Sequence, residues 1–403
     1  MEKKNRLIRD ITKQPGPKTE EHIFWHSSKK GTKSEEEGTK SDTLPFLFTL
    51  KDLGDSSSIR PEIIRSLEDA RIGHNFRIPR YYLNLVDFED PCCPIRGQAI
   101  PSLEEVNRSG DDDPLHEKEF SITPILIKRH PDRCVFLVSS ECAMYCRFCN
   151  RRRFAGGRVD PGPHMEESLS YIENDAHVRE VILSGGDPFM LEPDRLHAVL
   201  SRLRSMNKPL TIRLSTRMPV VYPEGLTAAH LKAIKDASPV WIILHINHPR
   251  EITRHFLKKV HSLRKCGASM ISQTVLLRNI NDCPHVLLDL FESLIEAGIK
   301  PYYLFQLDDV NGASHFKVRL SRGREIMAFL NLHASGLAVP RYALDIPGGL
   351  GKIPVDLDHV QFLEKTTMVK LISPAGETGY YNDDAEESRC MQCGICRKRD
   401  GGV

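Results

Sequence analysis

The sequence contains no run of about 18 consecutive apolar residues, so no segment is suited to cross a membrane as a helix. Its charge is almost balanced, with 56 Lys and Arg against 54 Asp and Glu, which removes the usual argument for a nucleic-acid-binding protein. The start of the chain is charged and has no apolar stretch behind it, unlike a secretory signal. We therefore expect a cytoplasmic protein that binds neither nucleic acid nor a membrane.

The composition is that of a globular protein with many cysteines. Hydrophobic residues make up 40% of the 403 residues and charged residues 27%, which is enough for a large buried core. The chain also has eleven cysteines. In a reducing cytosol, clustered cysteines bind metals more often than they form disulfides.

The sequence pattern divides the chain into four regions. Residues 1–43 are polar and poor in apolar residues, which predicts a disordered tail. Residues 44–129 combine an amphipathic helical pattern with several prolines, which predicts a helical N-terminal arm. Residues 130–350 alternate strand and helix patterns, and residues 351–403 form a C-terminal segment with a second cysteine group.

Six short runs suited to β-strands alternate with helical patterns in the third region. This alternation predicts an α/β fold, a partial (βα)6 barrel with active-site residues at the C-terminal ends of its strands. The predicted strands are 134–139, 181–184, 211–215, 240–245, 272–277 and 302–306.

The strongest chemical signal is a C-x3-C-x2-C run formed by Cys142, Cys146 and Cys149, directly after the first predicted strand. Three thiolates on one short loop can bind three irons of a [4Fe–4S] cluster and leave the fourth iron open to another molecule. A zinc site is the alternative, but zinc sites usually pair two C-x2-C units, and no fourth ligand stands nearby. The spacing therefore predicts a [4Fe–4S] cluster.

This spacing resembles that of the radical S-adenosylmethionine (radical SAM) superfamily, in which the open iron binds S-adenosylmethionine and the cluster supplies an electron to cleave it. Without the resemblance, the glycine-rich segment at the end of the second strand is an ordinary turn, and His245 at the end of the fourth strand is an ordinary core residue. The resemblance implies S-adenosylmethionine contacts at Phe148, Ser184, Gly185, Gly186, Asp187, His245 and Gln273.

Further blocks of sequence resemble lysine 2,3-aminomutase and its relatives within this superfamily. That family carries a second cofactor, pyridoxal 5′-phosphate (PLP), bound covalently to a lysine. The blocks include Pro94-Ile95-Arg96-Gly97-Gln98, Asn150-Arg151-Arg152-Arg153-Phe154, His245-Ile246-Asn247-His248-Pro249 and Gln273-Thr274-Val275-Leu276-Leu277.

A glycine-rich run ends at Lys352, which by this resemblance forms the Schiff base with PLP. The resemblance also places Arg129 and Arg133 near the PLP phosphate. Read without it, Lys352 is an exposed lysine after a turn, and the two arginines are ordinary surface cations. The family usually has glycine at the position of Leu350, so the local backbone there is open to question.

The resemblance also implies how the substrate binds. Arg151 matches the arginine for the α-carboxylate, and Asp308 and Asp345 match two aspartates that bind a distal ammonium group. Relatives that act on glutamate have Lys and Asn at those two positions. The sequence therefore favours conversion of L-lysine to L-β-lysine, with arginine or glutamate 2,3-aminomutase as the alternatives.

A second cysteine group stands near the C-terminus. The resemblance implies a zinc site formed by Cys390, Cys393 and Cys396 together with Cys283. The C-terminal spacing is C-x2-C-x2-C, whereas the family usually has C-x-C-x2-C, so a second iron–sulfur cluster remains an alternative to zinc.

These features predict an isomerase that acts on a free amino acid. We expect a homo-oligomer that receives electrons from a donor such as flavodoxin or ferredoxin. The rival interpretation is an iron–sulfur or zinc protein that binds or modifies RNA through the basic segment around Cys146 and Cys149. Covalently bound PLP would distinguish the two.

Overall fold

The structure, a computed structural model, describes residues 45–55, 59, 61–70, 74–107, 109–156, 159–355, 360–373 and 376–386. All of these residues belong to one unit, Pro45–Val403. The tail predicted for residues 1–43 lies outside the described residues.

Short elements precede the main sheet. Proline at the first position of the second helix costs no hydrogen bond, because that N–H has no partner within a helix. Strand β1 (Phe46–Leu47) pairs antiparallel with β2 (Ile78–Pro79). The helices of this arm are α1 (Leu50–Asp55), α2 (Pro61–Asp69), α3 (Arg80–Leu83) and α4 (Pro94–Ala99).

The main sheet has ten strands, of which seven adjacent ones are parallel. It starts with β3 (Ser121–Thr123) and β4 (Leu126–His130), an antiparallel pair that begins before residue 130, where the sequence predicted the barrel to start. The parallel strands are β5 (Arg133–Ser139), β6 (Glu180–Gly185), β7 (Thr211–Thr216), β8 (Val240–His245), β9 (Ala268–Leu276), β10 (Lys300–Gln306) and β11 (Arg341–Ile346).

Helices connect the parallel strands and bury one apolar face each. In the helix Pro193–Arg204, for example, the residues Leu196, Val199, Leu200 and Leu203 recur at helical spacing and are all buried. The helices are α5 (Met165–Asn174), α6 (Pro193–Arg204), α7 (Met218–Val221), α8 (Ala228–Ala237), α9 (Arg254–Lys265), α10 (Pro284–Glu296) and α11 (Leu320–His333). None of the helices in the described part of the chain is long and apolar enough to cross a membrane.

The sheet curves until its two ends approach each other. Arg129 on β4 donates a hydrogen bond of 2.8 Å to Asp345 on β11, although six strands lie between β4 and β11. Among the described strands, the edges of the sheet are β3 and β12 (Gly351–Pro354), which do not pair with each other. The prediction of an α/β fold with a partial barrel is therefore confirmed, with a seventh parallel strand, β11, that the sequence analysis missed.

A small antiparallel sheet follows the barrel. It consists of β13 (Val360–Phe362), β14 (Met368–Ile372) and β15 (Thr378–Asn382). The C-terminal cysteines Cys390, Cys393 and Cys396 lie outside the described residues.

Candidate active site

The chemically important side chains follow the C-terminal ends of the parallel strands. The cysteine loop comes after β5, the glycine-rich segment after β6, and Asp308 after β10. Because parallel strands end on one side of a sheet, these loops meet at one end of the barrel, where α/β barrels bind substrates.

The cysteine loop has the donors that an iron–sulfur cluster requires. Burial and the neighbouring thiols raise the pKa of Cys142 well above its ordinary value. Burial, then Cys146, raise the pKa of Cys149 to about 11. Buried thiolates at this position therefore need bound cations, and irons of a cluster would supply them.

The thiols are not arranged around a single metal ion. Within the described ranges, no group of three or more His, Cys, Asp or Glu side chains could hold one ion. In a cubane cluster each thiolate binds a different iron, so its ligands do not converge on one point. Three thiols on one short loop form a donor set that fits a [4Fe–4S] cluster with one iron left open.

The glycine-rich segment packs directly against the cysteine loop. Gly185 has φ +114°, and a Cβ atom there would lie 2.3 Å from the carbonyl oxygen of Ser139. A Cβ atom on Gly186 would lie 2.1 Å from the carbonyl oxygen of Glu141. Only glycine permits this approach at both positions.

Asp187 uses its carboxylate to hold the ends of two strands together. It accepts hydrogen bonds from the Thr216 hydroxyl at 2.8 Å and from the backbone N–H groups of Phe189, Arg217 and Met218. Burial raises the pKa of this carboxyl above its ordinary value. Its observed bonds position the loop after β6, while the contact with S-adenosylmethionine stays a prediction.

Two other predicted cofactor residues lie side by side on neighbouring strands. His245 on β8 is the register partner of Gln273 on β9. Burial, then the charges of Arg217 and Arg151, lower the pKa of His245 to about 4, so its ring is neutral. Its Nε2 atom is buried and has no hydrogen-bond partner among the described residues, which fits a side chain that binds a cofactor.

Phe148 is buried within the same loop region. Its ring packs edge-on against Phe316 at a centroid distance of 6.4 Å, and the guanidinium of Arg217 lies 5.2 Å from its centroid. The ring of Phe148, which the resemblance implies contacts S-adenosylmethionine, is therefore packed on two sides.

Arg151 is held by a carboxylate that the sequence analysis missed. Its Nε and Nη2 atoms donate to Glu117 at 3.0 and 2.7 Å, and its Nη1 atom donates to the Ser184 hydroxyl at 3.1 Å. Arg153 also pairs with Glu117. Glu117 lies in an acidic run that the sequence analysis placed in the helical arm, and nothing in its sequence context indicated this contact.

The two aspartates predicted for the distal ammonium group differ in their partners. Asp345 lies 2.8 Å from Arg129 and 3.3 Å from the Nζ atom of Lys352. Asp308 accepts a hydrogen bond of 2.6 Å from Asn150, and no cation in the described chain forms an ion pair with it. Asp345 is therefore neutralised, whereas Asp308 is not.

Their pKa values shift in opposite directions. Burial and the Asp345 carboxylate raise the pKa of Asp308 to about 7. Burial also acts to raise the pKa of Asp345, but the charges of Lys352 and Arg129 outweigh it and lower this pKa below its ordinary value. The site thus holds one ionised carboxylate and one that titrates near neutrality.

Lys352 lies beside an aromatic ring and next to two glycines with open space around them. Its Nζ atom is 3.9 Å from the centroid of the Phe305 ring, and a Cβ atom built on Gly348 or Gly351 would meet no atom within 4 Å. Leu350 has φ −70°, which any residue adopts, so the departure from the family pattern does not strain the backbone. These features fit a PLP site.

Arg129 and Arg133 lie in different surroundings. Arg129 reaches the Asp345 carboxylate next to Lys352. Arg133 is partly exposed and pairs with its neighbour Asp132 at 3.1 Å. A role for Arg133 at the PLP phosphate stays a prediction that this contact does not support.

Cys283 is buried and precedes α10. The three other cysteines predicted to bind zinc lie outside the described residues. The zinc site therefore stays a prediction.

Comparisons with known proteins identify the family of this chain. Residues 136–305 match the radical SAM superfamily. The L-lysine 2,3-aminomutase of Clostridium subterminale is 38% identical over 79% of this chain and 77% of its own length. That of Fusobacterium nucleatum is 40% identical over 74% and 70%. The glutamate 2,3-aminomutase of Clostridioides difficile is 37% identical over 79% and 74%.

Similarity to solved structures is weaker. A crystal structure of Streptococcus suis SuiB overlaps 53% of this chain and 49% of its own, with 14% identity and a TM-score of 0.41. This similarity is too low to assign a function. The sequence relatives establish the family, because their identity extends over more than two thirds of both chains. The protein belongs to the lysine 2,3-aminomutase family of radical SAM enzymes and is an isomerase.

Proposed function

We propose that this enzyme is a PLP-dependent L-lysine 2,3-aminomutase that produces L-β-lysine. The observation that carries the proposal is the pair of largely buried carboxylates, Asp308 and Asp345, of which Asp345 pairs with Lys352. A buried pair of carboxylates favours a cationic side chain and disfavours an anionic one.

The family implies a [4Fe–4S] cluster and S-adenosylmethionine, and we propose that PLP binds as well. The cluster would be held by Cys142, Cys146 and Cys149. When bound, the cluster and S-adenosylmethionine supply radical chemistry, and PLP supplies an electron sink for migration of the amino group. The residues proposed to contact S-adenosylmethionine are Phe148, Ser184, Gly185, Gly186, Asp187, His245 and Gln273, and those proposed for PLP are Lys352, Arg129 and Arg133.

Arg151 would bind the α-carboxylate. Glu117 engages its Nε and Nη2 atoms, so its orientation is set before the substrate enters, and Ser184 engages only one proton of Nη1. The free N–H groups of the guanidinium remain for the carboxylate. Fixing the carboxylate at one end and the ammonium group at the other would orient the carbon chain between them.

The distal ammonium group would bind between Asp308 and Asp345. In this structure Lys352 supplies part of the positive charge beside Asp345. With Lys352 engaged by the cofactor, the ammonium group of lysine would replace that charge. It would also supply a cation to Asp308, which forms no ion pair among the described residues.

Two alternative substrates belong to the same reaction class. A guanidinium group also suits two carboxylates, so arginine is the second candidate. A glutamate side chain would be repelled by both aspartates. The RNA-binding interpretation is set aside, because the chain belongs to an isomerase family.

The zinc site, the electron donor and the oligomeric state are proposed on the resemblance alone. Cys283, Cys390, Cys393 and Cys396 would form a closed set of four thiolates, which suits structural zinc. Metal analysis of the reconstituted protein and of a Cys393→Ala variant tests this site. Loss of zinc with full retention of the [4Fe–4S] spectrum is the expected result.

The substrate assignment is tested by anaerobic incubation with lysine, arginine and glutamate in competition. The reaction contains S-adenosylmethionine, PLP and a reductant, and the products are separated by chromatography. We expect β-lysine as the main product. A preference for arginine or glutamate would reject lysine as the substrate and leave the aminomutase chemistry in place.

A further inference from the structure

Arg217 connects the cysteine loop to a buried polar network, and no role was assigned to it from the sequence. It follows the last residue of β7, and its Nη1 atom donates to the sulfur of Cys146 at 2.8 Å. Its Nη2 atom donates to Gln98 at 2.7 Å and to Glu251 at 2.5 Å. The guanidinium therefore lies between a sulfur and a carboxylate.

The network holds this guanidinium in one position. Glu251 is fully buried and also accepts hydrogen bonds from the Tyr82 hydroxyl at 2.6 Å and from the backbone N–H of Asn247 at 2.7 Å. Asn247 in turn donates to Gln98 at 3.0 Å. Because Glu251 and Gln98 hold one side of the guanidinium, its other N–H groups point at the Cys146 sulfur. The hydrogen bond to the sulfur therefore costs little further side-chain entropy.

The contact is specific to one of the three cysteines. The neighbouring Arg147, which lies within the cysteine loop, is also buried, but its donors go to oxygen atoms of Glu105, His74 and Asn75. Arg217 thus donates a charged hydrogen bond to the sulfur of Cys146, whereas Arg147 donates to none of the three cysteines.

Hydrogen bonds and positive charges near cluster sulfurs stabilise the reduced cluster, which carries one more negative charge than the oxidised cluster. We propose that Arg217 is a positioning residue for the cluster, which donates a charged hydrogen bond to the Cys146 sulfur and raises the cluster's reduction potential. The proposal depends on the family's cluster and not on PLP or the substrate, so it can fail while the proposed function stands.

The test compares midpoint potentials in redox titrations followed by EPR. Arg217→Met alone would leave Glu251 as a buried charge without its cation, so it is combined with Glu251→Gln. The matched control is Arg147→Met combined with Glu105→Gln, which removes another buried arginine–glutamate pair whose arginine lies in the cysteine loop. Iron and sulfide content shows whether each variant assembles the cluster.

We expect the Arg217 pair of substitutions to lower the potential, with a reduction equilibrium constant about tenfold smaller, which is ~59 mV for one electron. The Arg147 pair should keep the parental potential. A parental potential in the cluster-loaded Arg217 variant would overturn the proposal. An equal fall of the potential in the Arg147 variant would overturn it too, because any buried arginine near the cluster would then have the same effect.

A measurement on the parent protein covers the case in which the double variant does not assemble a cluster. Protein whose arginines carry 15N only in their guanidinium groups is reduced and examined by pulsed EPR for a 15N coupling to the cluster. Arg217→Lys, which keeps the charge and the buried pair, should lose this coupling, and Arg147→Lys should keep it. A coupling that persists in Arg217→Lys, or is absent from the parent, contradicts the contact.

Discussion

At the scale of single residues, the site depends on the unequal partners of two carboxylates. Asp345 is neutralised by Arg129 and Lys352, whereas Asp308 has only the neutral Asn150 as a hydrogen-bond partner among the described residues. Asp308 is therefore the residue whose loss should affect lysine binding most directly.

Asp308→Asn should lower kcat/KM for lysine roughly 200- to 5,000-fold, because removing one partner of a buried ion pair costs about 3–5 kcal/mol. Steady-state assays of β-lysine formation measure this change. Abortive cleavage of S-adenosylmethionine should continue, since other residues are proposed to bind that cofactor.

Asp309→Asn is the matched control, because it makes the same change at the next residue, which we have not placed in the site. It should keep close to the parental kcat/KM. If Asp308→Asn converts lysine as well as the parent does, the assignment of Asp308 to the ammonium group is wrong.

The pH dependence follows from the same carboxyl. Because burial and Asp345 raise the pKa of Asp308 to about 7, its protonated form predominates below that pH. The lysine ammonium group stays charged up to a pKa of about 10. We therefore expect kcat/KM for lysine to rise as the pH rises through about 7, and Asp308→Asn to abolish this inflection. An inflection that survives in the variant would assign it to another group.

At the scale of structural elements, the loop after β6 is built to lie against the loop after β5. The close approach of Gly185 and Gly186 to backbone carbonyls leaves no room for a side chain. The geometry of both loops is therefore coupled, and a change in one should be detected in the other.

Gly186→Ala should displace the glycine-rich loop, because the new methyl group would lie 2.1 Å from the Glu141 carbonyl oxygen. We expect a loss of stability of about 1–3 kcal/mol and weaker binding of S-adenosylmethionine, measured by denaturation and by isothermal titration. Gly336→Ala, where a Cβ atom meets nothing within 4 Å, is the control and should change neither. Parental binding in Gly186→Ala would show that the loops are not coupled.

The strand β12 carries Lys352, at a distance along the chain from the cysteine loop. Lys352→Ala should abolish covalent attachment of PLP and turnover while leaving the iron–sulfur spectrum unchanged, because different loops bind the two cofactors. Borohydride reduction followed by peptide mapping tests this directly. A reduced PLP label on any other lysine would refute the assignment.

At the scale of the whole molecule, the sequence predicts what is local and misses what is distant. The six strands from β5 to β10 and the spacing of Cys142, Cys146 and Cys149 are local patterns, and the fold and family that follow from them are confirmed. Strand β11 was missed because it runs directly into the glycines that precede Lys352, and its residues were interpreted together with that run.

The missed site residues act over long distances in the sequence. Arg217 contacts a cysteine 71 positions earlier, and Glu117 binds an arginine 34 positions later. Neither contact leaves a local spacing that a sequence pattern could reveal. Their positions depend on how the curved sheet brings separate loops to one end of the barrel.

The central claim is that the α-amino group of lysine moves to Cβ, and isotopic labelling tests it most directly. The enzyme is incubated anaerobically with S-adenosylmethionine, PLP, a reductant and L-lysine that carries 15N only on the α-amino group. We expect β-lysine with 15N on C3 and unlabelled nitrogen on C6, seen by NMR and mass spectrometry. Lysine that is recovered unchanged by an enzyme that still cleaves S-adenosylmethionine, or 15N released from the carbon chain, would contradict the account.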